Sequence, residues 1–412
     1  MIRILEIKMK ILALGGCGEM GGYAVRELIK SDLINHIVIA DIYKAKAEKM
    51  AKEYGPKVSA IHVDISNTES LENAVSNVDI VINTVGPFYK FGVKVLEACI
   101  KAKCHYVDIN DDWEPTLEML ALHSVAKKAG ITAIVGCGAT PGISNMLALK
   151  AASELNEVKE IYTGWNLDHA KPEIIREKPS SATVHGFHQM SGKIRAFTDG
   201  RYNDVQPVQK VTLHYPGIGK RSAWTIGHPE SVTFPRYFPS LNLSRNVMTT
   251  SLFNIVAIRF LVWFVDNKLL SEESIAKIAE KIEGPHKKND TAEKIYNRMI
   301  KNNFSNLPPL FGLVNGSYQN EKASVGCMLL TAPSGGMGGA TGIPLAIAAL
   351  LIAKKKIRKK GVFSPEGIID PEDFFAEYAP LCSPPKKDIK DCILITKSWD
   401  KRSIMEIMKL QL

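Results

Sequence analysis

Six residues near the start of the chain have the types and the spacing of a phosphate-binding turn. Residues 16–21 read Gly-Cys-Gly-Glu-Met-Gly and fit the pattern G-x-G-x-x-G. Because glycine has no Cβ, such a turn lets a pyrophosphate reach the backbone N–H groups at the start of a helix. The pattern predicts that Gly16 makes the tight turn, Gly18 admits the phosphates and Gly21 packs the helix on its strand. The residues predicted to bind a dinucleotide here are Gly16, Cys17, Gly18, Glu19, Met20 and Gly21.

A carboxylate stands about 20 residues beyond the glycines, where it would contact the adenosine ribose. Asp41 ends an apolar run over residues 36–40, and its side chain would accept hydrogen bonds from both ribose hydroxyls. The same negative charge would repel a 2′-phosphate, so Asp41 favours NAD over NADP. Lys44 and Lys46 lie in the next predicted helix and could reach such a phosphate. The sequence therefore predicts NAD, with NADP as the open alternative.

Short apolar runs alternate with helical patterns around these residues. The runs are bounded by turn or polar residues, as buried parallel strands are, and the predicted strands cover residues 10–14, 36–40, 58–63, 79–83, 105–109 and 131–135. Predicted helices lie between them, at residues 23–29, 44–54, 69–75, 93–101 and 116–129. This alternation predicts an α/β fold, a doubly wound parallel sheet of the Rossmann type with helices on both faces.

Such sheets bind ligands at the carboxyl ends of their strands. Asp64 and Ile65 follow the third predicted strand and are candidates to line an adenine pocket. Residues 84–89 follow the fourth strand, close to the point where the strand order reverses. Residues 136–143 form a second loop rich in glycine and proline, which leads into a helix from about Ser144 and out of the first domain.

The pattern changes near residue 158 to alternating β-type runs with turn dipeptides. This predicts a second, α+β domain built on a mainly antiparallel sheet, with helices near residues 251–270 and 271–283. A nearly all-apolar helix over residues 343–353 follows a glycine run at 334–342, and a helix N-terminus of that kind can take a carboxylate.

The predicted domain boundaries follow from these patterns. We expect a Rossmann domain over residues 1–142, an inserted substrate and dimerisation domain over 143–340, and C-terminal helices over 341–412 that return to the first domain.

Length and composition fit a globular protein with two cores. The chain has 412 residues, of which 45% are hydrophobic and 23% charged. A formal charge of +9 is mild and suits an anionic small-molecule ligand; we expect no nucleic-acid partner. The seven cysteines are scattered without a C-x-x-C pair, which argues against disulfides or a metal site and predicts a reducing cytoplasm. The N-terminal residues show no export signal.

Two apolar segments raise the question of a membrane. Residues 251–265 carry Arg259 in their middle, and residues 343–353 are far fewer than the roughly 20 needed to span a bilayer. We predict buried helices for both, and no membrane partner. The basic run at residues 354–360 could touch RNA or anionic lipid, but cations at a helix C-terminus also complement the helix dipole, and we predict a solvated surface.

The motifs together resemble the saccharopine dehydrogenase-like oxidoreductases, a family that includes saccharopine reductase, lysine 6-dehydrogenase and carboxynorspermidine dehydrogenase. The resemblance rests on GGCGEMG with IADIYKAKAEKM, on INTVGPFYKFGVKVLEACIKAKCHYVDIND, on AGITAIVGCGATPGISN and on TGIPLAIAALLIAKKKIRKKGVFSPEGIIDPEDFFAEY. It implies a Rossmann domain interrupted by a substrate domain, and hydride transfer at a carbon that bears an amine nitrogen. The loop GCGATPGIS lacks the aspartate that precedes Pro-Gly in saccharopine reductase, which argues against saccharopine itself.

The resemblance also implies roles for individual residues. The segment expected on the nicotinamide side of the cofactor is Asn83, Thr84, Val85, Gly86 and Pro87. Asp108 and residues 138–142 are expected to border the substrate, and Gly138 also the cofactor.

The predicted function is that of an NAD(P)-dependent oxidoreductase acting on an amino acid or on an imine formed from one. Asp108, Tyr89 and His185 are the candidates for moving the nitrogen proton. Arg195, Arg201 and Arg236 are candidates to bind a substrate carboxylate. The alternative is a non-catalytic dinucleotide-binding protein, a redox sensor or assembly partner. In either case we expect a cytoplasmic homodimer whose ligands are small molecules.

Overall fold

The structure is a computed structural model that describes residues 8–169, 181–283, 306–402, 404, 406 and 407. The chain divides into two compact units. Unit 1 comprises Met1–Gly142 and Gly338–Tyr378, and unit 2 comprises Ile143–Met337 and Ala379–Leu412. Residues 1–7, on which the expectation of no export signal partly rests, lie outside the described residues.

The strands of the described residues are numbered in chain order. They are β1 (Met9–Leu14), β2 (Ile34–Asp41), β3 (Val58–His62), β4 (Ile80–Asn83), β5 (His105–Asp108), β6 (Thr132–Ile134), β7 (Glu157–Asn166), β8 (Ile194–Thr198), β9 (Arg201–Val205), β10 (Lys210–Tyr215), β11 (Gly219–Ile226), β12 (Leu243–Thr249), β13 (Leu310–Tyr318), β14 (Glu321–Leu329), β15 (Gly361–Phe363) and β16 (Ile393–Lys397).

The helices are numbered in the same way. They are α1 (Glu19–Leu28), α2 (Lys44–Tyr54), α3 (Thr68–Val75), α4 (Phe88–Ala102), α5 (Trp113–Ala121), α6 (His123–Ala129), α7 (Ile143–Ala152), α8 (Ser181–His188), α9 (Glu230–Thr233), α10 (Leu252–Asp266), α11 (Glu272–Glu283), α12 (Gly336–Ala353), α13 (Pro371–Tyr378) and α14 (Ile389–Cys392).

Unit 1 is built on a parallel sheet of seven strands in the order β15-β6-β5-β4-β1-β2-β3. Successive residues Ile11, Leu12, Ala13 and Leu14 of the central strand are all buried, although their side chains alternate between the two faces. Both faces of the sheet are therefore covered, as the continuous apolar runs predict. The strand order reverses between β1 and β4, so the predicted Rossmann fold is confirmed and its ligand crevice lies at the carboxyl ends of these two strands.

The C-terminal part of unit 1 adds a strand and a long helix to this sheet. β15 pairs in parallel with β6 at the sheet edge, a strand that the sequence analysis did not predict. α12 begins at Gly336, so most of the glycine run assigned to a loop is helical. A Cβ on Gly342 would lie 2.2 Å from the carbonyl oxygen of Met20, and one on Gly338 would lie 2.7 Å from Cγ of Glu19. The glycines therefore let α12 pack directly on α1, and the carboxylate site predicted at the N-terminus of this helix stays a prediction.

α12 is long and apolar enough to cross a bilayer, but 78% of its 18 residues are buried within the protein. The basic residues that follow it pair within unit 1. Lys356 Nζ lies 2.9 Å from Asp373 Oδ1, and Lys354 forms an ion pair with Glu377. Part of the basic run is thus balanced by acidic side chains of α13.

Unit 2 is built on a mixed sheet in the order β10-β11-β12-β7-β13-β14-β16, with β8 pairing with β12 and β9. Its pairs are antiparallel except for β7 with β12, which agrees with the predicted second sheet. Because β16 pairs with β14, residues 379–412 lie in unit 2, whereas the sequence analysis placed all of 341–412 with the first domain.

The helix predicted to be buried at residues 251–265 is only half buried. α10 packs Ile255, Ile258 and Val262 into the core of unit 2, but Phe253 and Phe260 on its opposite side are exposed. The prediction of a buried helix is wrong for this outer side, because a helix of uniformly apolar composition gives no periodicity from which burial can be read.

The close packing of α12 on α1 is testable at Gly342. Gly342→Ala places a Cβ against the backbone of Met20, so we expect a loss of about 1–3 kcal/mol in the free energy of unfolding, as for overpacked cores. The matched control is Gly186→Ala in α8, where nothing lies within 4 Å of the added atom. There, the helix propensity of alanine should leave stability unchanged or raise it by up to about 1 kcal/mol. Urea unfolding of both variants measures the difference, and equal stabilities would contradict the packing.

Candidate functional site

The glycine turn after β1 adopts a conformation that needs residues without Cβ at specific points. Gly15 has φ +72°, so the left-handed residue stands one position before the predicted turn residue Gly16. A Cβ on Gly21 would lie 2.5 Å from the carbonyl oxygen of Gly15, which gives Gly21 the close helix-to-strand contact that the motif predicts. A Cβ on Gly18 would meet only that same oxygen, at 3.1 Å, so the space around Gly18 is open on its other sides.

The N-terminus of α1 fits the phosphates of a dinucleotide. Gly18 is its N-cap residue and offers no side chain to bond the first N–H groups of the helix. Those N–H groups and the positive end of the helix dipole are the donors that an anion requires. Cys17, Glu19 and Met20 occupy the predicted positions in the turn and first helical residues.

Asp41 lies at the carboxyl end of β2, where its side chain meets the glycine turn. Its Oδ2 accepts a hydrogen bond from the Cys17 N–H at 3.3 Å, and its Oδ1 accepts one from the Tyr43 N–H at 3.1 Å. These bonds hold the carboxylate beside the turn, as the role of a ribose acceptor requires. Burial, reinforced by Asp41, raises the pKa of the Cys17 thiol to about 11, so this thiol stays neutral next to the phosphate position.

The predicted adenine residues lie beyond β3. Ile65 is buried, and Asp64 accepts hydrogen bonds at Oδ1 from both the N–H and the hydroxyl of Ser66. These Ser66 bonds lower the pKa of Asp64. These hydrogen bonds fix the conformation of the turn after β3. The contact of Asp64 and Ile65 with adenine stays a prediction.

The loop after β4 is tied to the glycine turn. Thr84 Oγ1 donates to the carbonyl oxygens of Leu14 and Gly15, both at 3.1 Å. A Cβ on Gly15 would lie 2.8 Å from that Thr84 oxygen and 2.9 Å from Val85 Cγ2. The two loops at the switch point of the sheet thus fix each other, and Gly86 and Pro87 follow within the same connection to α4.

A buried polar network links the carboxyl ends of β4, β5 and β6. Asn83 Nδ2 donates to the Tyr106 hydroxyl at 3.1 Å, and this hydroxyl donates to Asp108 Oδ2 at 2.8 Å. Asp108 Oδ1 accepts from the N–H groups of Asn110 at 3.0 Å and Gly136 at 2.7 Å. Burial raises the pKa of Asp108 from 3.8 to about 6, and these hydrogen bonds oppose that rise. Asp108 therefore anchors two loops; the proton-transfer role predicted for it stays a prediction.

Asn83 acts on the cofactor loop from inside the protein. Its Oδ1 accepts from the Val85 N–H at 3.0 Å, and its side chain is fully buried. In the structure Asn83 holds the loop of residues 84–87. Its predicted contact with the cofactor stays a prediction. Sequence analysis singled out Asn83 and Asp108 but missed Tyr106, whose hydroxyl joins them. The alternation of Tyr106 with Asp108 along β5 put both side chains on one face and could have indicated the pair.

The remaining candidates lie apart in the chain. Tyr89 stands in the first turn of α4 and is 41% exposed, with Lys90 Nζ 5.9 Å from the centre of its ring. His185 is buried in α8 of unit 2. Gly138 lies beside α12, where its Cβ would be 2.9 Å from Thr341 Cγ2. The catalytic roles of Tyr89 and His185 stay predictions.

The carboxylate-binding arginines predicted in unit 2 are of two kinds. Arg195 Nε lies 2.5 Å from Asp204 Oδ1 across the β8–β9 pair, so its charge is balanced locally. Arg201 and Arg236 are exposed. Their proposed contact with a substrate stays a prediction.

Unit 2 contains a buried polar cluster that the sequence analysis did not identify. Ser144 Oγ donates to Glu230 Oε1 at 2.7 Å, and His228 Nδ1 lies 3.6 Å from Glu230 Oε2. All three side chains are almost fully buried. Ser144 and Glu230 are 86 residues apart in the chain, so no local spacing pattern could have indicated the cluster.

The turn after β1, the uncapped helix N-terminus and the carboxylate after β2 define a dinucleotide-binding oxidoreductase fold. Comparison with known proteins narrows this class. Residues 11–134 match the family model described as the saccharopine dehydrogenase NADP binding domain. The chain is therefore similar to the saccharopine dehydrogenase-like, NAD(P)-dependent oxidoreductases, the resemblance that the sequence motifs indicated.

Individual relatives show the same similarity at low identity. The carboxyaminopropylagmatine dehydrogenase of Synechocystis sp. is 23% identical over 90% of this chain and 95% of its own. The carboxynorspermidine synthase of Vibrio cholerae is 27% identical over 56% of this chain and 61% of its own length, so that alignment spans only part of both proteins. Saccharopine dehydrogenase (L-Glu forming) from Saccharomyces cerevisiae shares the fold, with a TM-score of 0.55 at 15% identity over 94% of this chain and 99% of that one.

The two glycines of the turn should respond differently to an added side chain. Gly18→Val fills the open space at the start of α1, so we expect a folded protein that no longer binds NAD(H). Gly21→Val forces atoms against the Gly15 carbonyl, so we expect loss of stability as well as of binding. Thermal unfolding together with NADH titration separates the two effects. NADH binding that survives Gly18→Val would place the phosphates elsewhere.

The buried network predicts a pH-dependent effect of Tyr106→Phe. The folded protein holds the Asp108 proton with a pKa near 6, above its value of 3.8 in an unfolded chain, so stability falls as pH rises between those values and levels off above them. Removing the Tyr106 hydroxyl takes a donor from the ionised carboxylate. We expect a loss of about 1.5–3 kcal/mol at pH 8 and a smaller loss at pH 5, where Asp108 carries its proton.

Urea unfolding at the two pH values measures this difference. The control is Tyr43→Phe, whose side chain is 69% exposed and should change stability little at either pH. An equal loss at both pH values in Tyr106→Phe would show that the hydroxyl does not support the Asp108 charge.

Proposed function

We propose that this chain catalyses NAD(P)-dependent hydride transfer at the carbon next to the nitrogen of a carboxylated polyamine, a secondary amine that carries an amino-acid group. The observation that carries the proposal is the similarity to carboxyaminopropylagmatine dehydrogenase, because it extends over both units and over 95% of that enzyme. The name of the Vibrio cholerae relative points to the same chemical class.

The reaction in the oxidative direction removes a hydride and a proton from the C–N bond. Bound NAD(P) supplies the hydride acceptor at C4 of its nicotinamide. The carbon is thereby oxidised to an imine, the nitrogen loses its proton to a side chain or water, and water then cleaves the imine to a carbonyl and an amine. The reductive direction reverses these steps and forms the secondary amine from the imine.

The described residues of unit 1 perform the binding part of this reaction. The N–H groups at the start of α1 hold the pyrophosphate, and Asp41 accepts hydrogen bonds from the adenosine ribose. Asn83 and Thr84 fix the loop expected on the nicotinamide side. Tyr89, His185 and Asp108 remain our candidates for the nitrogen proton; Asp108 differs from the other two in that both of its oxygens also accept hydrogen bonds that hold the neighbouring loops.

We further propose that the enzyme prefers NAD, although its domain is of a family described as NADP binding. The support is the placement of the Asp41 carboxylate beside the glycine turn, where a 2′-phosphate would meet like charge. Lys46 is the one cation among the groups that shift the pKa of the Cys17 thiol. It is the residue that could neutralise a 2′-phosphate if NADP were bound.

Asp41→Ser tests this preference. The variant should bind NADH more weakly by about 1.5–3 kcal/mol, the scale of hydrogen bonds to a charged group. The difference between its affinities for NADH and NADPH should therefore become smaller. Asp32→Ser, at an exposed position before β2, is the matched control and should bind both cofactors as the parent does. Fluorescence titration with both reduced cofactors is the measurement; unchanged NADH affinity in Asp41→Ser would contradict the assignment.

We also propose a cytoplasmic homodimer with small-molecule ligands. All seven cysteines are buried and none of them forms a disulfide, which suits a reducing compartment. The exposed apolar side of α10 supports self-association. A membrane partner is not part of the proposal, since α12 is largely buried within the protein.

A substrate panel tests the proposed function. Carboxyaminopropylagmatine, carboxynorspermidine, saccharopine and lysine are each supplied with NAD or NADP, and absorbance at 340 nm is followed. Turnover with a carboxylated polyamine, absent in Gly18→Val, is the expected result. Turnover with saccharopine or lysine instead would overturn the substrate class, and NADH binding without turnover of any member would favour the non-catalytic alternative.

A further inference from the structure

The surface of unit 2 carries an unusual concentration of exposed apolar side chains. Seven of the fourteen large apolar residues that are exposed in the described part of the chain fall between residues 252 and 270. They are Leu252, Phe253, Val256, Phe260, Trp263, Leu269 and Leu270. We call this set, five residues of α10 and two of the turn that follows it, the outer face of α10. Exposed apolar residues scattered singly need no explanation, whereas a cluster of this kind marks an interaction surface.

The spacing of the outer face is that of a helix-pairing seam. Phe253, Val256, Phe260 and Trp263 follow one another at intervals of three, four and three residues. This is the a and d pattern of a heptad repeat, which places side chains along one line for a second helix to contact. The opposite side of the helix is already used, because Ile255, Ile258 and Val262 pack into the core of unit 2. α10 therefore has two apolar sides, and the residues of the outer side have the spacing that packing against a second helix requires.

The size of the outer face matches half of a dimer interface. With side chains of roughly 150–250 Å² for its aromatic members, the seven residues expose on the order of 800 Å². A typical monomer carries no apolar patch above about 600 Å², and a stable interface buries about 800 Å² on each partner. Phe253 is 81% exposed and Phe260 63%, so most of that area is available.

Charges beside the seam favour a second copy of the same helix in antiparallel orientation. Arg259 and Asp266 are both exposed and lie seven residues apart, hence on one flank of the helix, about 10 Å from each other. Each is fixed by its own chain: Arg259 Nη2 donates to the Val208 carbonyl and Asp266 Oδ1 accepts from the Gly192 N–H, both at 2.8 Å. In an antiparallel pair centred between residues 261 and 262, each Arg259 lies about 3 Å along the helix axis from the level of the other copy's Asp266, a distance that an arginine side chain spans.

The same register uses the rest of the outer face. Phe260 of one copy meets Trp263 of the other, and Phe253 of one copy lies beyond the end of the other copy's helix, on the side of the turn that carries Leu269 and Leu270. A two-fold pair of this kind is self-complementary and closed, so it gives a dimer and not a fibre. A membrane-binding helix would instead carry several lysines or arginines beside its apolar side, whereas Arg259 is the only basic residue within α10.

We propose that the outer face of α10 is the homodimer interface, formed by antiparallel pairing of α10 with the same helix of a second copy. The proposal is independent of the substrate, so its failure would leave the oxidoreductase function intact.

Light scattering of the full chain across a micromolar dilution series tests the interface. The parent should have twice the mass of 45.4 kDa, and Val256→Asp should raise the dimer dissociation constant at least about 100-fold, because the change puts two buried carboxylates into one apolar interface. The matched control is Val125→Asp, at an isolated exposed valine of α6, which should stay dimeric. Circular dichroism shows that each variant is folded.

Charge reversal tests the antiparallel register. Arg259→Glu or Asp266→Lys alone should weaken the dimer several-fold, and the two together should restore it, because the pair across the interface is re-formed with opposite signs. A parent chain that is monomeric would overturn the proposal, whether its outer face then bound lipid vesicles or another segment of its own chain. So would a dimer that survives Val256→Asp, and a double reversal that fails to restore pairing would overturn the register.

Discussion

Unit 1 depends on backbone contacts so close that only glycine permits them. Gly21 brings α1 against the Gly15 carbonyl, and Gly342 brings α12 against Met20 of the same helix. A Cβ at either position would lie at 2.5 Å or less from a backbone oxygen. These two contacts hold α1 between the end of the central strand and α12, so the helix N-terminus proposed to receive the phosphates has a fixed position before any ligand arrives. Preorganised donors of this kind bind without the free-energy cost of ordering the loop.

The second constraint is the buried carboxylate of Asp108. An ionised group without water is unfavourable unless hydrogen bonds replace its hydration, and here Tyr106, Asn110 and Gly136 supply three of them. Because Tyr106 also accepts from Asn83, the network joins three strand ends and the loops that follow them. The loops expected to border the nicotinamide and the substrate are therefore held by one polar cluster, and the chemistry of unit 1 depends on its integrity.

The sequence was sufficient for the elements whose pattern is local. The parallel strands were predicted to within one or two residues, because a strand buried on both faces is a short continuous apolar run bounded by turns. β15 was missed because it has only three residues and takes its strand character from pairing with β6. The glycine run before residue 343 was read as a loop, since glycine disfavours helices and its close contact with α1 is not visible in sequence. β16 could not be assigned to unit 2 from the sequence, because its pairing with β14 is a contact between distant parts of the chain.

The residues of the candidate site also fall into two groups, those with a local sequence pattern and those that distant parts of the chain bring together. Gly18, Gly21 and Asp41 were found because their spacing along one strand–turn–helix unit reflects a local geometry. Gly136 and the cluster around Glu230 depend on residues far apart in the chain, and no spacing rule identifies them, whereas the alternation of Tyr106 with Asp108 along β5 was a local signal that was missed. The proton carrier also has no local motif, so Tyr89 and His185 rest on residue type alone.

The central claim is that a dinucleotide binds at the carboxyl ends of β1 and β4, against the glycine turn. Hydrogen exchange of the full chain with and without NADH measures this most directly. The amide N–H groups at the start of α1 would donate hydrogen bonds to the phosphates and would therefore exchange more slowly. The account predicts slower exchange in peptides that cover residues 15–21 and 84–89. Unchanged exchange in both segments at saturating NADH, with protection elsewhere in the chain, would contradict it.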